Sequence, residues 1–146
     1  MKGFIGAIMA GALLLFSAAP TAAKTAEEYS KERSASMKAM DSALNEISQR
    51  VGGLFAFDKK VIREKVEIVR DNLNGMKALF PEGSATSQTL PEIWTEPEEF
   101  DEEIEEILER VEKLSRELET ADRKRAKSLY KKLHRACTGC HHEFRK

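Results

Sequence analysis

The sequence predicts an all-α protein, an antiparallel four-helix bundle. Apolar residues recur at spacings of three and four along four long stretches, and almost no stretch alternates as a half-buried strand does. Each of the four stretches is about 20 residues or longer. Most links between them are short, which makes consecutive helices antiparallel neighbours.

The first two predicted helices span residues 26–51 and 59–80. The dipeptide Gly52-Gly53 ends the first, since glycine favours the residue that follows a helix. Asp58 stands where an N-cap of the second is needed, and Pro81 follows its last apolar residues. The apolar stripe of the first helix includes Met37 and Met40, and that of the second includes Met76.

Residues 81–96 form the longest predicted loop, from which Ile93 and Trp94 are expected to pack onto the bundle. Thr95 is a candidate N-cap of the third helix, with Glu98 three residues on as in a capping box. The apolar stripe of this helix continues as far as residue 118, and its many glutamates are interpreted as a solvated face.

The fourth predicted helix spans residues 122–144. Its inward stripe is expected to end with four residues of the C-terminal motif region: Cys137, Cys140, His141 and Phe144.

Residues 1–23 have the pattern of a cleaved secretory signal. Lys2 gives a short positive start, residues 3–19 carry no charge, and Thr21-Ala22-Ala23 offers small residues for cleavage after Ala23. An uncleaved anchor is the alternative, but the apolar run is marginal for spanning a bilayer and is diluted by glycine and alanine. The prediction is therefore a bacterial protein exported to the periplasm, with no membrane partner after signal cleavage.

Residues 24–146 are then one domain. The whole chain has 24 basic and 25 acidic residues, and this near-neutral balance argues against nucleic acid as a partner.

Cys137-Thr138-Gly139-Cys140-His141 is the attachment signature of a c-type haem. On a helix the two cysteines and the histidine lie at i, i+3 and i+4, on one face. The two thiols can each form a thioether to a haem vinyl group, and His141 can bind the iron on the proximal side. We therefore predict one haem c, covalently bound through Cys137 and Cys140.

Three other uses of these cysteines were weighed. A disulfide between Cys137 and Cys140 would close a very small loop and stabilise little. A thioredoxin-type redox pair requires a βαβ context, which the sequence does not have. A structural zinc site needs about four protein ligands, and beyond the motif and its neighbour His142 only His134 offers itself.

The residue opposite His141 must come from another helix. His134 lies two turns earlier on the same helix, and His142 points away from His141, so both are expected at the surface. Methionine is a normal haem ligand, and Met37, Met40 and Met76 are the candidates. Spacing alone does not choose among them, and each is also a suitable core residue.

The chain resembles the class II c-type cytochromes, the cytochrome c′ family, over essentially residues 24–146. Four segments carry the resemblance: Arg33-x-x-x-Met37-Lys38-x-Met40, Leu79-Phe80-Pro81-Glu82-Gly83-Ser84, Leu90-Pro91-Glu92-Ile93-Trp94 with Phe100, and Cys137-x-x-Cys140-His141-x-x-Phe144-Arg145. The resemblance implies a four-helix bundle that holds its haem between the helices.

The resemblance also implies a sixth ligand. In high-spin members the residue at the position of Met37 is usually apolar and does not ligate, whereas in the low-spin branch a methionine there binds iron. Met37 predicts the low-spin branch, with His141 and Met37 as axial ligands. Arg33 is predicted to approach a haem propionate, and Arg145 to lie near the proximal imidazole. Met40 is assigned to the core.

These ligands lead to a function. An iron with six ligands has no open site for a substrate, so we predict an electron carrier that meets redox partner proteins, and not an enzyme. The alternative is a five-coordinate cytochrome c′ that binds NO or CO, with Met37 only shielding the distal face. A helical bundle without haem that binds another metal through the motif is the alternative from a different class. A monomer and a homodimer are both compatible with the sequence.

Overall fold

A computed structural model describes residues 23–146, and within them the chain forms five α-helices and one short 3₁₀ helix. The predicted signal, apart from Ala23, lies outside the described residues. The α-helices are α1 (Ala26–Gly52), α2 (Lys59–Asn74), α3 (Glu92–Thr95), α4 (Pro97–Leu118) and α5 (Arg123–Phe144). The 3₁₀ helix is Lys77–Leu79.

The four long helices form a bundle. Helix α1 packs against α2 and α5, and α4 packs against the same two helices. The predicted all-α four-helix bundle is confirmed. Its core contains apolar side chains from every long helix, among them Ile47, Ile62, Leu114 and Leu133, which are inaccessible to solvent. Met40 and Met76 also belong to this core.

Side-chain caps fix where three of the long helices begin. The carboxylate of Asp58 accepts hydrogen bonds from the backbone N–H groups of Lys60 and Val61, which confirms its predicted N-cap role. Asp122 accepts from the N–H of Arg125 in the same way at the start of α5. Helix α1 begins with a capping box formed by Thr25 and Glu28, which the sequence analysis did not identify.

The second helix is shorter than predicted. It ends at Asn74. Met76, just before the 3₁₀ helix, is buried in the core, and Leu79 and Phe80 pack against the core as partly buried residues. Gly75 is the C-cap, and glycine is a poor helix former, so the helical pattern of Leu73, Met76 and Phe80 outlasts the α-helix itself.

The predicted N-cap of the third long helix is wrong. Thr95 is the last residue of α3, and its hydroxyl donates to the carbonyl of Pro91 at 3.4 Å. Helix α4 begins instead at Pro97, after Glu96, whose side chain makes no capping hydrogen bond. The short α3 buries Ile93 and half-buries Trp94, which confirms that both residues pack onto the bundle.

The C-terminus is held to the long loop by backbone hydrogen bonds. The N–H of Leu90 donates to the carbonyl of Phe144 at 3.1 Å, and the N–H of Lys146 donates to Gln88 at 3.2 Å. Thr89 and Arg145 form an isolated antiparallel bridge between them. Residues 88–90 therefore fix the end of α5. Within residues 23–146, no helix is both long enough and apolar enough to cross a membrane.

Candidate haem site

The last two turns of α5 carry the haem-attachment motif. Cys137 is half-buried, Cys140 is buried, and both are free thiols. Burial raises the pKa of Cys137 to about 11. Burial, together with the nearby carboxylate of Glu103, raises the pKa of Cys140 to about 12. Both thiols are therefore protonated at neutral pH, in the uncharged form that suits an apolar vinyl partner.

His141 does not share the burial of its neighbours. Its position is exposed, although the protein around the ring desolvates the imidazolium. This desolvation, with the charge of Arg145, lowers the pKa of His141, so the imidazole is neutral at neutral pH. A neutral imidazole has the lone pair that a metal needs.

The inward orientation predicted for Cys140 and Phe144 is confirmed, whereas His141 is exposed beside them. Successive helical residues are about 100° apart. The buried stripe of α5 runs through Leu133, Cys140 and Phe144, so His141 lies at its edge.

Helix α1 faces this part of α5. A series of contacts between side chains connects the two helices. The Arg33 guanidinium on α1 lies 4.7 Å from the ring centroid of Phe80, whose centroid lies 5.0 Å from that of Phe100. The Phe100 centroid in turn lies 5.1 Å from that of Phe144 on α5. The N-terminal half of α1 and the C-terminal end of α5 therefore lie at the same end of the bundle.

Met37 lies on α1 at this end, one turn after Arg33. It is half-buried and packs against the hydrophobic core. Met40 and Met76, the other two methionines considered for the iron, are 7% and 0% exposed and belong to the core. Of the three, Met37 is the one that is not enclosed by the core.

Arg33 is buried and is held by a loop. Its guanidinium donates to the carbonyl of Leu79 at 2.9 Å, to the hydroxyl of Ser84 at 3.2 Å and to the carbonyl of Ser84 at 2.9 Å. Burial lowers its pKa from the ordinary value. The contact of Arg33 with a propionate stays a prediction, and the structure gives this residue a second role, in fixing residues 79–84.

The remaining histidines lie where they were expected. His134 and His142 are exposed, and the His134 ring lies 5.9 Å from that of Tyr130. Among residues 23–146, no three His, Cys, Asp or Glu side chains are grouped for a metal ion, which gives the zinc alternative no support.

Two residues of the site were not found from the sequence. Glu103 was assigned to a solvated face, but burial, with the charge of Glu143, raises the pKa of its carboxyl. Ser84 is 1% exposed because Arg33 and the backbone of residues 79–84 enclose it. A glutamate among many glutamates and a serine in a polar loop carry no local signal of burial.

The residues present fit a covalent haem. Two uncharged thiols lie one helical turn apart, in apolar surroundings that suit vinyl groups, with a neutral imidazole at the next position. Half-buried apolar side chains at this end, including Met37, Phe80 and Trp94, supply surface for a flat apolar ring. Fold and site together define a c-type cytochrome built on a four-helix bundle.

Comparison with known proteins gives the family. The sequence profile of cytochrome c′ matches residues 28–145, and the chain belongs to the cytochrome c′ family. Cytochrome c′ of Alcaligenes xylosoxydans xylosoxydans is 23% identical over 120 residues, which are 82% of this chain and 94% of that relative.

Solved structures agree on the fold. A cytochrome c′ structure superposes with a TM-score of 0.79 at 22% identity, over 86% of this chain and all of the other. A variant of cytochrome c prime from Alcaligenes xylosoxidans, solved as its nitric oxide complex, superposes with a TM-score of 0.77 at 23% identity, over 84% and 97%. The family binds one covalent c-type haem through two cysteines, which confirms the predicted cofactor at Cys137 and Cys140.

The same comparisons overturn the predicted function. Members of this family are typically high-spin and bind NO or CO at a five-coordinate haem, which contradicts a six-coordinate low-spin electron carrier. The prediction of the low-spin branch depends on the methionine at position 37. A thioether in the right place of a sequence does not establish an iron–sulfur bond, since methionine also serves as an apolar filler.

Proposed function

We propose that this chain is a gas-binding cytochrome c′, which holds a five-coordinate haem and takes up NO or CO. His141 is the proximal ligand in this proposal, and Met37 shields the distal face without binding the iron. The observation that carries the proposal is the family match, which spans both Met37 and the attachment motif. Nitric oxide complexes of related proteins support it.

A haem held at this site would supply an iron able to bind a small diatomic ligand. The chain determines which molecules approach it. Cys137 and Cys140 would hold the haem on α5, and the neutral imidazole of His141 would supply a nitrogen ligand to its iron. Met37 contributes an uncharged, half-buried side chain to the part of the site that α1 forms. An apolar shield of this kind excludes water and anions, which would lose their hydration, and admits small uncharged gases.

Arg33 strengthens this selectivity indirectly. Its three hydrogen bonds to residues 79–84 hold the loop beside α1, so the buried guanidinium is solvated by carbonyl and hydroxyl oxygens. Met37, one turn further along α1, is thereby supported by a fixed neighbourhood. The predicted signal in residues 1–23 supports a periplasmic location for this activity.

The test is spectroscopic, with the purified haem-loaded protein. We expect high-spin spectra in both oxidation states and saturable binding of NO and CO to the ferrous form. Met37→Ala, which removes the shield, is expected to speed CO association at least tenfold and to leave the iron high-spin. Met40→Leu is the matched control, because Met40 lies one turn further along the same helix but inside the core.

A different result would contradict the proposal. A ferrous spectrum with a sharp low-spin α-band that disappears in Met37→Ala would mean that the thioether of Met37 binds iron. A protein that carries haem but takes up neither gas would exclude the gas-binding function while leaving the cofactor assignment intact.

A further inference from the structure

The link between α1 and α2 presents an apolar tip to solvent. The tip consists of Leu54 and Phe55, whose side chains are 73% and 49% exposed. Exposed adjacent large apolar residues are costly in water and commonly mark an interaction site.

The tip is held rigidly by the backbone. The carbonyl of Gln49 accepts hydrogen bonds from the N–H groups of Leu54 at 2.9 Å and Phe55 at 3.2 Å. Gly53, with φ of 98°, turns the chain out of α1 just before them. The guanidinium of Arg50 lies 5.9 Å from the centroid of Phe55 and donates to the carbonyl of Ala56 at 3.3 Å. Leu54 and Phe55 are therefore exposed to solvent without any rearrangement of the link between α1 and α2.

Basic side chains lie at the same end of the bundle as the tip, in the first turns of α2 and α5. The link from α4 to α5 lies at the same end, because the guanidinium of Arg123 lies 5.7 Å from the centroid of Phe57. We call four residues the basic rim: Lys59, Lys60, Arg123 and Lys124. None of the four has an ion-pair partner among residues 23–146.

The acidic neighbours of the rim are already engaged. Asp58 and Asp122 use their carboxylates to cap α2 and α5, and Glu119 pairs with Arg63. The four cations of the rim therefore outnumber the two capping carboxylates, Asp58 and Asp122, and leave an excess of positive charge beside the two apolar side chains.

Acidic side chains are concentrated around the start of α4. Residues 96–106 contain eight acidic and no basic residues, and Lys77 pairs with two of them. This acidic segment lies beside the C-terminal end of α5, where His141 is found. Arg123 and His141 are 18 residues apart on α5, which corresponds to about 27 Å. The tip and the haem site therefore occupy opposite ends.

We propose that the tip and the basic rim dock the processed protein peripherally on an anionic lipid surface. Leu54 and Phe55 insert among the headgroups, the rim contacts lipid phosphates, and the acidic segment of α4 points away from the surface together with the haem site. This differs from the sequence-based expectation of no membrane partner after signal cleavage. A peripheral contact needs no spanning helix.

A second copy of this chain fits the tip less well. In a symmetric dimer the same patch meets itself, so two rims that each carry an excess of positive charge would face each other. An anionic bilayer complements both features of the patch at once. The membrane is therefore the occupant that we test, with dimerisation as the competing outcome.

The experiment uses haem-loaded protein that begins at residue 24 and unilamellar vesicles, with the bound fraction read from the haem absorbance after sedimentation. We expect partitioning onto vesicles of phosphatidylglycerol and phosphatidylcholine, and at least tenfold weaker partitioning onto phosphatidylcholine alone. Leu54→Ser/Phe55→Ser is expected to weaken binding to the anionic vesicles at least tenfold. Ile68→Ser, at another exposed apolar residue, is expected to leave it unchanged.

Charge reversal tests the rim separately. Lys60→Glu/Lys124→Glu is expected to weaken binding at least tenfold, because each cation near an anionic surface strengthens it roughly fivefold. Lys31→Glu/Lys38→Glu makes the same change in net charge on exposed residues of α1 near the haem site, and should have little effect.

Two results would overturn the proposal. Either vesicle binding is absent or unaffected by both tip and rim variants, or sedimentation without lipid reveals a dimer that Leu54→Ser/Phe55→Ser dissociates. All four variants change exposed side chains, and circular dichroism and the haem spectrum verify that each remains folded.

Discussion

The guanidinium of Arg33 donates two hydrogen bonds to Ser84, one to the side-chain hydroxyl at 3.2 Å and one to the carbonyl at 2.9 Å. The two residues are 51 positions apart, and they are 6% and 1% exposed. A third bond from Arg33 reaches the carbonyl of Leu79. One side chain of α1 thus satisfies the buried polar groups of the segment that follows α2.

Arg33→Ala is expected to lower the free energy of unfolding by about 3 kcal/mol, because it leaves buried carbonyls without donors. Arg33→Lys keeps the charge but loses the planar fork, so its loss should be intermediate. Ser84→Ala removes only the hydroxyl acceptor and should cost about 1 kcal/mol. Urea unfolding followed by circular dichroism measures all three. Lys31→Ala, at an exposed residue of the same helix, is the control, and equal losses for Arg33→Ala and Ser84→Ala would contradict this assignment.

Short-range sequence patterns correctly predicted those features of the fold that depend on residues close together in the chain. The bundle, the cap at Asp58 and the end of α1 before Gly53 follow from apolar spacing and from short-range backbone preferences. The burial of Arg33 does not, because its partners are backbone carbonyls some 46 to 51 positions away. The end of α2 was missed for a related reason: the pattern of Met76 and Phe80 stays helical, although Gly75 ends the helix.

The residues of the haem site likewise differ in how far a local pattern predicts them. Cys137, Cys140 and His141 could be predicted because one short motif contains the chemistry. The function assigned to Met37 could not, since ligation depends on the distance and orientation of a side chain on another helix. The expectation that the protein is not an enzyme relied on the same saturated iron, and it stays a prediction, as do the redox partners and the oligomeric state.

The buried thiols predict a pH dependence for the protein before haem attachment. Their pKa values, about 11 and about 12, exceed the ordinary value of 9.0, so the folded chain retains protons that the unfolded chain releases. Stability is therefore complete below pH 9 and falls as the pH rises from 9 towards 12. Urea unfolding of the haem-free protein at pH 8 and at pH 10.5 measures this loss. Cys137→Ala/Cys140→Ala should lose less stability over the same interval, and an identical loss would refute the cause.

Phe144 connects the hydrophobic core to the C-terminal segment. Its ring is 6% exposed and packs edge-on to Phe100, and its carbonyl accepts from the N–H of Leu90. Phe144→Ala is expected to lower the free energy of unfolding by about 3–5 kcal/mol, since it opens a cavity. Hydrogen exchange of the Leu90 amide should accelerate as well. Leu54→Ala, at an exposed apolar residue, should change stability by less than about 0.5 kcal/mol.

Gly52 and Gly53 are adjacent, yet alanine should have opposite effects at the two positions. Gly52 is the last residue of α1, and a Cβ there would meet no atom within 4 Å. Gly52→Ala should therefore stabilise the protein, by up to about 1 kcal/mol, because alanine favours the helix and restricts the unfolded chain.

At Gly53 both the backbone conformation and a steric contact disfavour a side chain. Its φ of 98° is a conformation that L-residues rarely adopt, and a Cβ would lie 2.9 Å from Nη1 of Arg123. The flexible Arg123 side chain can move, so most of the cost comes from the backbone, and we expect Gly53→Ala to lose about 1–2 kcal/mol. Thermal unfolding of both variants measures the difference. If adding Arg123→Ala fully recovered the stability lost in Gly53→Ala, the cost would come from the contact with Arg123 and not from the backbone. Equal changes in stability at both glycines would contradict the left-handed turn that presents Leu54 and Phe55.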